Sequence, residues 1–247
     1  MNIVLLVFIV VYQAVMAALD IKDINEYKAV EITGRQKIKF YKEAIVFGWI
    51  PVCVVFVFVG LSSLSLKDIG FREITFSGST AINILTGVLS GVMLFVLACQ
   101  TVMYFISPNY RNQVREELKG KKKNGSHYDR VMSQILIPKN KVEKIWFLFV
   151  SLTAGICEEI IWRGCLVYLL NSIFPTVNAI VVYAVSCMAF GLAHFYQGVF
   201  GVVKTGVLAI LFVLVYFTTD SIIPGIVLHF FFDFSSAFLV KEEKISI

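Results

Sequence analysis

Three ionisable side chains lie in the middle of an apolar stretch of this sequence. Glu158, Glu159 and Arg163 fall within the run from Ile145 to Leu170, which reaches the ~20 apolar residues that a bilayer-spanning helix needs. On insertion-derived scales, each ionised group at the centre of such a span costs ~2.5–3.5 kcal/mol. Because this cost is large, we expect these residues to have either a function or a buried partner.

Helical spacing gives the three residues different surroundings. Glu159 and Arg163 are four residues apart, so they share a helix face and can form an ion pair. Glu158 lies about 100° further round the helix and has no partner of its own in this segment. An unpaired carboxylate in a low-dielectric setting suits a general base. The alternative is that both glutamates are structural and pair with Arg163 and a neighbouring helix.

The overall composition excludes a soluble globular domain. The chain has 247 residues, 58% of them hydrophobic, and a mean hydropathy of +0.80, as expected of a polytopic membrane protein. We therefore predict an all-α transmembrane helical bundle. The five cysteines lie in apolar segments without C-x-x-C spacing, so we interpret them as small core residues rather than a disulfide framework or a zinc knuckle.

The apolar segments predict about seven spans. Three polar connections separate the early spans: Asp20–Lys42, Leu61–Ser79 and Ser107–Lys144. In the last of them, Pro108, Pro138 and two glycines indicate an extended loop that leaves His127 at the surface. A re-entrant turn near His194–Gly201 is an alternative that would alter the count. The predicted spans are Asn2–Leu19, Ala44–Gly60, Thr80–Ile106, Lys144–Leu170, Val177–Phe195, Val199–Phe217 and Ser221–Val240.

The distribution of cations predicts the orientation. Six Lys or Arg lie in Asp20–Lys42 and ten in Ser107–Lys144, whereas Leu61–Ser79 has two. The positive-inside rule then places the N-terminus outside and the C-terminus inside, with the Lys204 turn also inside. The tract Lys121–Lys123 is interpreted as a solvated loop, with contact to anionic lipid headgroups as the alternative. We divide the chain into a three-span region (1–143), a four-span core (144–240) and a short tail (241–247).

Three further ionisable groups lie in the later spans. His194 follows Phe190 by four residues, and His229 and Asp233 are again four apart. Glu158 and two histidines suit two mechanisms. In one, Glu158 with His194 activates water while His229 and Asp233 stabilise an oxyanion. In the other, Glu158, His194 and His229 hold a divalent metal such as zinc, which lowers the pKa of the water. An ionised Asp233 cannot donate to an oxyanion, so it is protonated, orients His229 or binds a metal.

The ordered set of motifs resembles a known family. Glu158-Glu159-x-x-x-Arg163, Phe190-x-x-x-His194 and His229-x-x-x-Asp233 are similar to the signature of the CAAX-protease and bacteriocin-processing family of intramembrane endopeptidases. The resemblance covers Ile145 to Val240. It implies Glu158 as the base with His194 beside it, His229 and Asp233 as the oxyanion or supporting pair, and Glu159 with Arg163 as an ion pair. The last motif position is often Asn in that family, so the role of Asp233 stays open.

These observations lead to a functional hypothesis with two alternatives. We expect an intramembrane endopeptidase of a bacterial plasma membrane that cleaves a membrane-embedded or lipid-associated peptide, with no nucleic-acid partner. One alternative is a non-catalytic membrane scaffold or regulator that partners a peptide pheromone or a sensor kinase, or that acts in bacteriocin immunity. The other is a proton-coupled transporter, since intramembrane Glu, His and Asp also build proton relays. No inverted repeat of Gly- or Pro-broken spans supports it. Substrate, scissile bond and oligomeric state stay open.

Overall fold

Every regular element in the described part of the chain is helical. The computed structural model describes residues 1–26, 32–124 and 127–235. The helices are α1 (Asn2–Glu26), α2 (Gly34–Leu61), α3 (Thr80–Ile106), α4 (Pro108–Asn124), α5 (His127–Ile135), α6 (Lys141–Glu159), a π-helical turn (Ile160–Cys165), α7 (Leu166–Ile173), α8 (Ala179–Ala193), a 3-10 turn (Phe195–Gln197), α9 (Gly198–Thr219) and α10 (Ile223–Ser235). The predicted all-α polytopic bundle is confirmed.

Five of these stretches are long and apolar enough to cross a membrane. They are α1, α2, α3, the continuous 33-residue stretch from Lys141 to Ile173, and the stretch Phe195–Thr219. The fifth and seventh predicted spans correspond to shorter helices, α8 with 15 residues and α10 with 13. The last five residues of the seventh predicted span, 236–240, and the predicted tail lie outside the described residues. The inside and outside assignments remain predictions.

The prediction of an extended loop between the third and fourth spans was wrong. Most of that segment forms α4 and α5. Pro108 occupies the first position of α4, where its missing N–H is not needed, and Gly120 is accommodated within the same helix. The two features that suggested irregular backbone are therefore compatible with a helix. The tract Lys121–Lys123 lies in α4, so it is not loop either.

His127 is also less exposed than the sequence suggested. It begins α5 and is half-buried, and its Nε2 lies 2.8 Å from the Ile24 carbonyl oxygen of α1. Since a carbonyl only accepts, this nitrogen donates. α5 packs through Val131 and Ile135 against Phe147 of α6. The segment between the third and fourth spans thus braces the end of the bundle.

The polar connection between α2 and α3 covers the opposite end of the core. Its residues Thr75 and Ser77 donate backbone hydrogen bonds to the carbonyl groups of Thr219 and Thr218. Arg72 forms an ion pair with Asp220, at the end of α9. Within the same connection, the Ser65 hydroxyl and backbone N–H donate to the Asp68 carboxylate and lower the pKa of that carboxyl group. This segment is therefore pinned to the connection between α9 and α10.

One hydrophobic core joins the two regions predicted from the sequence. Leu5 of α1 and Val52 of α2 pack in the same cluster as Ile161 and Leu169 of the fourth span. Residues on both sides of the predicted boundary at 144 therefore pack in the same cluster. Gly155 brings α6 close to α10, since a Cβ there would come within 3.0 Å of the Ile226 carbonyl oxygen. This close approach places the end of α6 beside the helix that carries His229.

A buried ion pair fixes the start of α6. Lys37 of α2 and Glu143 of α6 are 1% and 3% exposed, and their charged atoms are 3.1 Å apart. Lys37 also donates to the Ile137 carbonyl oxygen, and Glu143 accepts from the Lys139 backbone N–H. Asn140 caps the helix by accepting from the Glu143 N–H. These contacts set the position of the helix that carries Glu158 fifteen residues further on.

Replacing Lys37 by Met is expected to destabilise the protein strongly. The change leaves the Glu143 carboxylate buried without its cation, a loss of about 3–5 kcal/mol in comparable pairs. Lys22→Met is the matched control, because the side chains of the Lys22–Glu26 pair are 70% and 67% exposed and their charged atoms are 3.9 Å apart. Thermal unfolding of both variants in detergent measures the difference. Equal melting temperatures would show that the buried pair contributes little.

Candidate active site

Glu158 and Glu159 end helix α6, directly before the π-helical turn. π turns are rare and occur frequently at functional sites. Glu159 and Arg163 are both 0% exposed, and Arg163 Nη1 lies 3.1 Å from Glu159 Oε1. The two residues are thus in ion-pair contact, as their spacing suggested. The Glu158 side chain is 29% exposed and points to a different side.

His194 lies at the C-terminal end of α8. Its Nδ1 is 2.8 Å from the Phe190 carbonyl oxygen, so this nitrogen carries the proton and donates. The other ring nitrogen, Nε2, then faces Glu158 Oε2 at 3.9 Å. In the neutral ring, this Nε2 is an acceptor. The hydrogen bond to the α8 backbone therefore determines which ring nitrogen of His194 is directed at Glu158.

His229 of α10 lies between three carboxylates. Its Nδ1 is 3.0 Å from Glu159 Oε1. Its Nε2 is 3.7 Å from Glu158 Oε2 and 3.6 Å from Asp233 Oδ2. Since Glu159 accepts at Nδ1, this nitrogen carries a proton, and a second proton on Nε2 would face two further carboxylates. The ring is 3% exposed.

The structure brings the four sequence-predicted groups to one cavity of ≈ 910 Å³. Glu158, His194, His229 and Asp233 all line it, a convergence that the sequence left open. The remaining wall comes from α1, α2, α3 and α9 and is largely apolar. Pockets of about 300–1,000 Å³ that combine apolar walls with a few convergent polar groups are typical of ligand sites. Glu159 and Arg163 do not line the cavity; they lie behind it.

The donor atoms do not form a metal site as they are placed. In the ranges 1–26, 32–124 and 127–235, no group of three His, Cys, Asp or Glu side chains has the geometry to hold a metal ion. A divalent metal held by Glu158, His194 and His229 therefore remains a prediction.

A family comparison covers this part of the chain. The family model described as "Type II CAAX prenyl endopeptidase Rce1-like" matches residues 141–235, somewhat under half of the chain. Those residues contain all three motifs and the whole of α6 to α10. Residues 141–235 are thus similar to the CAAX protease family, in agreement with the resemblance of the three motifs. No curated protein and no solved structure shows significant similarity to the chain.

The π turn packs against the connection between α2 and α3, which lies outside the residues that match the family model. A Cβ on Gly164 would come within 2.3 Å of the Ile69 carbonyl oxygen, which no backbone can accept without moving. Glycine at this position lets residues 62–79 lie directly on the turn that carries Arg163. The segment before α3 therefore supports the site from behind.

Gly164→Ala is expected to destabilise the protein by about 1–3 kcal/mol, the range for overpacked sites. The added methyl group meets backbone atoms rather than a side chain that can turn away. Gly87→Ala on α3 is the control, since a Cβ at Gly87 meets nothing within 4 Å. Thermal unfolding in detergent gives both values. A Gly164→Ala protein as stable as Gly87→Ala would contradict the close contact.

The three sequence motifs do not account for every polar residue of the cavity. Tyr196 and Gln197 follow His194 in the 3-10 turn and also line the cavity, with Gln197 Nε2 donating to the Tyr196 hydroxyl at 3.1 Å. Lys204, assigned from the sequence to an inside turn, lies within α9 and lines the cavity. Asp20 of α1 lines it as well. No spacing in the sequence indicated these contributions, because they come from elements that meet only in the folded bundle.

Proposed function

We propose that the protein is an intramembrane endopeptidase that hydrolyses a peptide bond with a water molecule activated by Glu158. One observation carries the proposal: Glu158 Oε2 is buried, accepts no hydrogen bond from any described residue, and faces two histidine nitrogens at 3.9 and 3.7 Å. These separations are too long for direct hydrogen bonds, so neither histidine competes with a water molecule for the Glu158 carboxylate, which lines the cavity. The match of residues 141–235 to the model of a protease family supports the assignment.

In this mechanism Glu158 acts first as base and then as acid. The carboxylate removes a proton from water as the water oxygen attacks the carbonyl carbon of the scissile bond. When the carbon–nitrogen bond breaks, Glu158 returns that proton to the leaving amine. His194 Nε2, kept as an acceptor by the Phe190 carbonyl, holds the water in line. The products are a carboxylate and an amine.

His229, together with Asp233, stabilises the oxyanion that develops as the water attacks. The developing oxyanion needs a donor, and the doubly protonated His229 ring presents its Nε2–H in the cavity. Glu159 holds its Nδ1, while the Asp233 carboxylate lies 3.6 Å from Nε2. An ionised Asp cannot donate to an oxyanion. We therefore assign Asp233 to orienting the His229 ring, the role that suits Asp at a position where the family often has Asn.

The cavity favours a substrate that is associated with the membrane. Its walls combine apolar residues of α2 and α3, such as Phe47 and Val96, with the polar groups described above. α3 exposes apolar side chains such as Val88 and Val92 on its outer surface, as expected of a helix in lipid. A peptide that is lipid-associated or embedded in the bilayer reaches such a cavity without crossing bulk water.

The test is a comparison of peptide termini in cells. Membranes and secreted peptides are analysed by mass spectrometry from cells that carry the wild type, Glu158→Gln or His194→Ala at equal protein levels. We expect at least one new terminus that is present with the wild type and lost in both variants. If every terminus persists in both variants, hydrolysis by Glu158 is contradicted and a non-catalytic scaffold is the better account.

A further inference from the structure

Phe212 contacts the site although it belongs to none of the three motifs. It lies on α9 and is 0% exposed. Its ring stacks on the His229 imidazole, with ring centroids 4.7 Å apart and planes 19° from parallel. The Arg163 guanidinium carbon lies 5.1 Å from the centroid of the same ring. Phe212 thus contacts both a histidine of the cavity and the buried cation behind it.

Arg163 is held by two aromatic rings rather than by hydrogen bonds. The second ring is Phe190, at 4.4 Å from the guanidinium carbon. In the described residues, the Nε and both Nη atoms of Arg163 have no hydrogen-bond partner of good geometry, although Nη1 is 3.1 Å from Glu159 Oε1. Aromatic faces attract a desolvated cation. The guanidinium therefore keeps both rings in place.

Each of these rings contacts a histidine of the site, and Phe190 also lies edge-on to the His229 ring, with centroids 6.0 Å apart. Phe190 lies 4.6 Å from the His194 ring, and Phe212 lies 4.7 Å from the His229 ring. Phe190 belongs to a motif, whereas Phe212 does not. Arg163, Phe212, His229 and Glu159 form a closed circuit of contacts in which each side chain contacts the next.

The stacking contact supplies a restraint that the hydrogen bond lacks. The bond from His229 Nδ1 to Glu159 fixes one ring nitrogen, but the ring can still tilt about that point, because rotations of flat rings have broad energy wells. A parallel ring against its face removes this freedom. The direction of Nε2, which lies 3.7 Å from Glu158 and 3.6 Å from Asp233, depends on both contacts.

We propose that Phe212 is a positioning residue that sets the plane of the His229 ring and thereby aims its Nε2 into the cavity. The kinetic consequence rests on the proposed peptidase function. The structural consequence does not, because the orientation of His229 can be measured in a protein with no known substrate.

The test uses the full chain in detergent and four substitutions. Phe212→Leu and Phe212→Met remove the ring face while keeping an apolar side chain of similar volume, and Met is the substitute if Leu does not accumulate. Phe212→Tyr keeps the ring. Phe200→Leu is the matched control, since Phe200 lies on the same helix and is 80% exposed.

Two readouts separate positioning from general loosening. The first is the rate at which diethyl pyrocarbonate modifies each of the three histidines, followed by peptide mass spectrometry, with His127 and His194 as internal references. The second is the kcat and KM of whichever cleavage depends on Glu158. We expect the non-aromatic variants to raise the rate at His229 alone and to lower kcat about tenfold with KM unchanged. Phe212→Tyr and Phe200→Leu should match the wild type in both.

The proposal is overturned if the non-aromatic variants leave the His229 rate unchanged. It is also overturned if Phe212→Tyr behaves as they do, or if all three histidines become reactive together. Should no cleavage depend on Glu158, the proposed function fails, while the modification rates still decide the role of Phe212.

Discussion

Glu158→Gln is expected to lower the rate of peptide cleavage by about 10²–10⁴-fold, the range for loss of a general base. Gln has nearly the same shape, so the packing at the end of α6 is kept. An amide cannot take a proton from the water that is bound at position 158. In the wild type, the nitrogens of His194 and His229 face the Glu158 carboxylate at 3.9 and 3.7 Å. The rate of appearance of the cleaved fragment, at equal levels of inserted protein, measures the loss.

The control for this prediction is Glu43→Gln on α2. Glu43 lines the same cavity, but it pairs with Lys39 at 3.6 Å rather than with a histidine. Cleavage by this variant should stay near the wild-type rate. If Glu43→Gln and Glu158→Gln lower the rate equally, negative charge in the cavity matters rather than a base at Glu158.

Arg163→Met is expected to destabilise the protein by about 3–5 kcal/mol, the usual result of breaking a buried ion pair from one side. Glu159 is 0% exposed and would lose the guanidinium that lies beside its carboxylate, keeping its contact with His229 Nδ1. The substitution also removes the cation between the rings of Phe190 and Phe212. Thermal unfolding in detergent gives the change in stability.

A second substitution separates the lost charge from the lost packing. In the double variant Glu159→Gln/Arg163→Met no carboxylate is left without its cation, and Gln still offers an oxygen to His229 Nδ1. Its stability should therefore lie above that of Arg163→Met alone. Arg72→Met is the control, because the Arg72–Asp220 pair is 34% and 43% exposed and should matter less. A double variant that is less stable than Arg163→Met would contradict the charge account.

Membrane helices were predictable where a run of apolar residues has clear ends. The third span is such a case: the predicted bounds, Thr80 and Ile106, are those of α3. Ser79 caps this helix by accepting from the Ile82 N–H, and Pro108 follows shortly after its end. By contrast, α4 and α5 are polar helices. Hydropathy does not detect such helices, and their proline and glycine residues favoured a loop.

The residues of the site were predictable as separate pairs, since spacing along one helix brings Glu159 to Arg163 and His229 to Asp233. The link between the pairs was not. His229 Nδ1 contacts Glu159 across 70 residues of sequence, and this contact depends on the close approach of α6 and α10 at Gly155. The π turn is likewise invisible in the spacing, because its residues are ordinary apolar ones around Arg163 and Gly164.

The most direct test of the account is cleavage by the purified chain in lipid vesicles. The wild type and Glu158→Gln are reconstituted separately with the parent polypeptide of a terminus that depends on Glu158 in cells. The account predicts that the wild type alone produces the same terminus as in cells, and that Glu158→Gln leaves the polypeptide intact. Cleavage of the polypeptide at the same rate by both proteins would contradict the central role of Glu158.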